Sequence, residues 1–100
     1  PRTSREAGLV RGEVLTVDRF GNLMTNISEQ ELPAAAARCR VVLGKDSIDG
    51  VSASYDEAAS GALVAVISSR GTLEIALREG SAAERTGSAR GVLVLVEAIS

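Results

Sequence analysis

The 100-residue sequence contains no histidine and no tryptophan, and single copies of cysteine, phenylalanine, tyrosine and methionine. Without histidine, and with one thiol, the usual metal clusters and histidine-based catalytic triads are excluded, and no metal site is expected. A lone cysteine cannot form an internal disulfide and fits a reducing, cytoplasmic setting. Followed by Arg40 and Val41-Val42-Leu43, Cys39 reads as a small buried hydrophobe on a strand. No apolar run approaches the roughly 20 residues of a membrane span, and no signal-peptide pattern is visible. Lysine and arginine (11) are interspersed with aspartate and glutamate (13) for a net charge of −2. With no basic stripe, neither nucleic acid nor an anionic membrane is expected as a partner.

What is abundant is aliphatic. Hydrophobic residues make up 45% of the chain, enough for one packed domain and against disorder. Residues 1–8, PRTSREAG, lack periodicity and read as a linker or tail; residues 9–100 form the domain. Short β-like runs follow at 10–18, 23–27, 40–44, 47–54, 62–67, 72–77 and 91–99. Leu73, Ile75 and Leu77 alternate cleanly onto one face. Lys45-Asp46 suits a hairpin link, and Ser60-Gly61 marks another turn. About seven closely spaced strands predict an all-β sandwich or closed barrel. Two short helical turns are expected where Ser28 precedes Glu31 and Ser81 precedes Glu84, each in capping-box spacing. Gly87 stands where the second would be capped at its C-terminus, and Ala34–Ala37 could add a further turn.

The scarce side chains gather in DRFGNLMTNIS, residues 18–28. Gly21-Asn22 suits a turn because both residues tolerate positive φ. One reading is purely architectural: Phe20 plugs the core, Asp18 is a solvated strand end, and Asn26 pairs with backbone. The other is recognition, since the Asn22 amide places donor and acceptor side by side, as an adenine edge requires, with Phe20 or Met24 covering the ring. In ISSRGTLEIAL, Ser69 and Arg70 form either a solvated hairpin tip or a carboxylate-binding pair. Glu74, on the polar side of an alternating strand, reads as solvated or salt-bridged. Tyr55 reads as a rim tyrosine or as a third contact. Together these places could bind a nucleoside and an amino acid at once.

GEVLTVDRFGNLMTNI and SYDEAASGALVAVISSRGTLEIALREGSAAERTG, in that order and spacing, resemble the C-terminal domain of the S-adenosylmethionine (SAM) hydroxide adenosyltransferases, the SAM hydrolases, a family that includes fluorinating and chlorinating enzymes. The resemblance runs from about Gly12 to Val96. It implies a small closed Greek-key β-barrel behind an N-terminal α/β domain, in a homotrimer whose sites lie between subunits. It implies that Asn22 reads the adenine edge, with Phe20 and Tyr55 as walls and backbone near Glu79 completing the contacts. It implies that Asp18 meets the ammonium of the methionine moiety and that Ser69 and Arg70 hold its carboxylate. Met24 occupies a position that is usually aromatic in the halogenating relatives, which also have one more residue between the aspartate and the phenylalanine.

The implied reaction is attack of water at C5′, giving adenosine and methionine, with SAM as substrate and no cofactor. The resemblance places the water-activating residues in the N-terminal domain, so this chain is expected to supply recognition, no catalytic residue, and no activity alone. A halide nucleophile, and a non-catalytic adenosyl-binding or assembly module, are the alternatives.

Overall fold

The computed structural model describes residues 2–99. Eight strands lie among them: β1 (Ser4–Glu6), β2 (Leu9–Val17), β3 (Leu23–Ser28), β4 (Cys39–Leu43), β5 (Asp46–Asp49), β6 (Leu63–Ile67), β7 (Thr72–Leu77) and β8 (Leu93–Ala98). One short helix, α1 (Ala82–Thr86), and 3-10 turns at Glu29–Glu31, Ala36–Arg38 and Tyr55–Glu57 complete the elements. No described helix is long and apolar enough to cross a membrane.

Strand period generates the interior. Val10 and Val14 of β2, Leu23 and Ile27 of β3, Cys39, Val41 and Leu43 of β4, Leu73 and Ile75 of β7, and Val94 and Val96 of β8 are buried on the inward-facing positions of their strands. The all-antiparallel sheet runs β5-β4-β8-β2-β3-β7-β6, with β1 on β2. The last strand therefore sits between β2 and β4, the non-sequential order of a Greek-key barrel rather than an up-and-down one. One seam remains, between β5 and β6. The chain leaving β5 narrows it where Ser52 bridges Val66 in parallel and its N–H donates to Ala65 O at 2.7 Å.

Several expectations shift in detail. Within residues 1–8, read as a linker or tail, Ser4–Glu6 pairs with β2. The run 47–54 breaks after Asp49, because Gly50 takes φ +86° and turns the chain out of the hairpin. The β4–β5 link is Gly44-Lys45, one residue earlier than expected, since Leu43 already opposes Asp46.

Both capping positions hold. Ser28 N–H donates to Glu31 Oε1 at 2.9 Å and Ser28 Oγ to the same oxygen at 3.1 Å. Ser81 Oγ accepts from Glu84 N at 3.1 Å, and Gly87 closes α1 in the left-handed conformation. The Ala-rich stretch contributes the 3-10 turn Ala36–Arg38.

Candidate functional site

The motif Phe-Gly-Asn-Leu-Met-Thr-Asn-Ile divides into a structural and an exposed half. Thr25 is buried, donates its hydroxyl to Leu73 O at 2.7 Å and accepts from Ile27 N at 3.2 Å. It thereby ties down β3 where its register against β7 shifts between Met24 and Ser28. Asn26 Oδ1 accepts from Glu13 N at 2.8 Å, and a Cβ on Gly12 would stand 2.5 Å from that oxygen. These two polar residues serve the backbone, as the architectural reading of Asn26 requires.

Phe20 does not plug the core. It is 64% exposed, with the Arg19 guanidinium 4.9 Å from its ring centroid. Beside it, Asp18 Oδ1 accepts from the backbone N–H of Phe20 and of Asn22, both at 2.9 Å, and Oδ2 accepts from Asn22 Nδ2 at 3.0 Å. Asp18 is therefore a knot in the turn rather than a solvated strand end. Burial opposes its ionisation, but the Asn22 N–H and amide and the Phe20 and Gly21 N–H groups outweigh it and hold the carboxyl below its ordinary value.

Tyr55 joins this end of the barrel from the seam side. It is 39% exposed; its Oη donates to Leu77 O at 3.2 Å and accepts from Glu79 N at 3.4 Å. Arg78 fastens the Tyr55 segment to β7 by donating Nη1 to Asp56 O at 2.7 Å and Ala58 O at 2.9 Å. Glu79 has φ +63°, unusual for a residue with a Cβ, and its carboxylate accepts from Ser60 Oγ. Gly21 abuts Ser81, and its carbonyl accepts from Ala83 N at 2.9 Å, so α1 braces the Asn22 turn from behind.

The Ser69-Arg70 turn stands at the opposite end of β7, a strand of six residues and so about 20 Å at the usual rise. Its backbone is closed by Gly71 N to Ser68 O at 2.9 Å and Ser68 N to Thr72 O at 2.8 Å. Arg70 is exposed and makes no ion pair among the described residues. Between the two ends, one row crosses four strands, Thr16–Met24–Glu74–Val66. Asn22, two residues before Met24, lies on the same outward face. A ligand touching both turns would run along this face.

Glu74, read from sequence as solvated or salt-bridged, is neither freely solvated nor ion-paired among the described residues. Partial burial, and secondarily the Asp18 charge, push its carboxyl up. Alternation marked it as outward-facing but could not reveal that Met24, Val66 and the Asp18 turn would surround it. The predicted residues form an open face; a hollow of about 570 Å³ lies elsewhere, lined by Arg5, Gly8, Glu31 and Pro33 among others. No described group of three or more His, Cys, Asp or Glu could hold a metal ion.

Residues 12–94 match the family model of the SAM hydroxide adenosyltransferase C-terminal domain. The chain is 37% identical over 83 residues to a protein of Thermus thermophilus named (R)-S-adenosyl-L-methionine hydrolase. That alignment covers 83% of this chain but 30% of the relative. Among solved structures, an uncharacterized conserved protein from Thermotoga maritima superposes with TM-score 0.81 at 27% identity, covering 96% of this chain and 38% of the other. A conserved hypothetical protein from Thermus thermophilus gives TM-score 0.71 at 38% identity, over 86% of this chain and 34% of the other. The chain thus spans about a third of the length of the relatives it matches.

Proposed function

This chain belongs to the SAM hydroxide adenosyltransferase family, matching its C-terminal domain, and from that premise we propose that it is the SAM-recognition part of a longer hydrolase. The carrying observation is the Asp18–Asn22 turn. It displays the chain's one phenylalanine to solvent beside an amide whose orientation is already fixed, with Tyr55 and Glu79 at the same end of the barrel.

In this reading Asn22 pairs with the adenine edge, Phe20 and Tyr55 flank the base, and the Glu79 backbone completes the contacts. Ser69 and Arg70 hold the amino-acid carboxylate, Met24 lines the path between, and the acceptor capacity of Asp18 that the turn leaves open meets the ammonium. The site is an open face because its other wall belongs to an N-terminal domain of a neighbouring subunit in a homotrimer.

The proposed chemistry suits a recognition module. Water attacks C5′, the C5′–S bond breaks with its electron pair going to sulfur, and methionine leaves as a neutral thioether without needing a proton. The attacking water loses a proton and becomes the 5′-hydroxyl of adenosine. What this chain supplies is placement of both ends of the sulfonium, so that attack is in line.

Full-length protein incubated with SAM in heavy-oxygen water should give methionine and adenosine carrying the label at the 5′-hydroxyl. A 5′-halogenated product in the presence of halide would replace water by halide as nucleophile. SAM binding with no turnover would leave a binding module instead. The 100-residue chain alone should not exceed the spontaneous rate.

A further inference from the structure

Resting on the adenine reading above, we propose that Asp18 is a positioning residue that sets which way round the Asn22 amide faces, and so makes the site prefer a 6-amino over a 6-oxo purine. An asparagine amide can sit either way round in its pocket, and only its partners decide where the oxygen lies. Here the decision is made by Asp18 Oδ2, 3.0 Å from Asn22 Nδ2. An ionised carboxylate accepts hydrogen bonds and cannot donate them, so the amide nitrogen must face Asp18 and Oδ1 must face away. The other carboxylate oxygen is held by the Phe20 and Asn22 N–H groups at 2.9 Å each, so the carboxylate cannot rotate without giving up two further bonds. Those same bonds favour its ionised form.

The consequence is chemical selectivity. Adenine carries a donor at its 6-position beside a ring-nitrogen acceptor, and an amide reads that pair with oxygen opposite the amino group. A purine with oxygen at the 6-position puts acceptor against acceptor. Turned over, the amide would meet that oxygen with its NH2 group but would oppose both adenine positions, so holding Nδ2 against Asp18 excludes the orientation that favours the 6-oxo purine.

The sharpest test is Asp18→Asn in the full-length protein. The substituted side chain keeps one oxygen for the two backbone N–H groups and replaces Oδ2 by an NH2 group, which now needs an acceptor. The Asn22 amide should turn over to present its oxygen. Calorimetric titration of adenosine and inosine should then show the wild type favouring adenosine and the variant losing or reversing that preference, a change in ratio on the order of 5- to 150-fold. Asp18→Ser retains a hydroxyl able to accept from turn N–H groups but does not dictate the amide; it should narrow the adenosine preference without inverting it.

Melting temperatures establish that each variant is folded, and Asp18→Ser decides if Asp18→Asn is not. An equal loss of both nucleosides in the folded variants would show that Asp18 merely supports the turn, and overturns the proposal. A wild type that binds neither adenosine nor SAM overturns the adenine reading itself, and this inference with it.

Discussion

The β2–β3 turn and the β6–β7 turn lie at opposite ends of the same outward face and are built on different principles. At the first, the Asp18 carboxylate accepts three hydrogen bonds within five residues, Gly21 is wedged against Ser81, and α1 stands behind. At the second, Gly71 has open space around it, and the exposed Arg70 has no ion-pair partner among the described residues. One turn is preorganised and the other adaptable. That division suits a ligand with a rigid planar end and a flexible charged end. Hydrogen bonds to a base demand fixed angles, whereas a guanidinium can follow a carboxylate.

The largest expected contrast is between two glycines with nearly the same backbone. Gly21 has φ +84° and Gly71 φ +82°. A Cβ on Gly21 would lie 1.9 Å from Ser81 Oγ and 2.9 Å from Ser81 Cα, whereas one on Gly71 meets nothing within 4 Å. Gly71→Ala should cost only left-handed strain, about 1–2 kcal/mol. Gly21→Ala should add overpacking, for about 2–5 kcal/mol in all. Urea melts of both variants read the difference, and equal losses would abolish the distinction between a braced and an open turn.

Binding should divide next. Asn22→Ala should weaken SAM and adenosine alike, by roughly 1–3 kcal/mol. Arg70→Ala should weaken SAM and methionine by up to about 1 kcal/mol, since the guanidinium is exposed, and leave adenosine untouched. Its stability should stay within about 0.5 kcal/mol of the wild type. Titrations of the three ligands against both full-length variants separate the two turns, and parallel losses of adenosine would merge them.

The smallest effect is electrostatic. Asp18, held below its ordinary value of 3.8, contributes stability that is present above that value and lost as pH falls toward its folded pKa. Glu74 has the opposite sign. Raised above 4.5 chiefly by burial and then by Asp18, it is favourable while protonated and becomes a cost as pH rises through its folded pKa. Asp18→Asn should therefore flatten the acid limb of the stability curve and lower the Glu74 pKa slightly. An NMR titration in which Glu74 does not move would uncouple the two carboxylates.

The strands were legible where an apolar pattern marks them: the alternation of Leu73, Ile75 and Leu77 announced β7, and the continuous apolar run at 91–99 announced β8. The strand Ser4–Glu6 was not, because no hydrophobic period marks its exposed residues. At the site, the turn at Gly21-Asn22 and the separate Ser-Arg tip could be read from residue type. The bond from Asp18 to Asn22 could not, since its existence depends on the turn's dihedral angles. Nor could the partial burial of Glu74, which comes from strand neighbours distant in sequence.

The interior of this barrel is aliphatic, while its one tyrosine stands at the same end as the β2–β3 turn with its hydroxyl against Leu77 O. With no tryptophan in the chain, its near-ultraviolet emission therefore originates chiefly from a single ring beside the proposed base site. Emission intensity becomes a native reporter: a purine stacking there should quench it through direct contact, whereas a methionine seated only at the Arg70 turn should leave the spectrum unchanged. The domain carries its own optical label where occupancy is to be read.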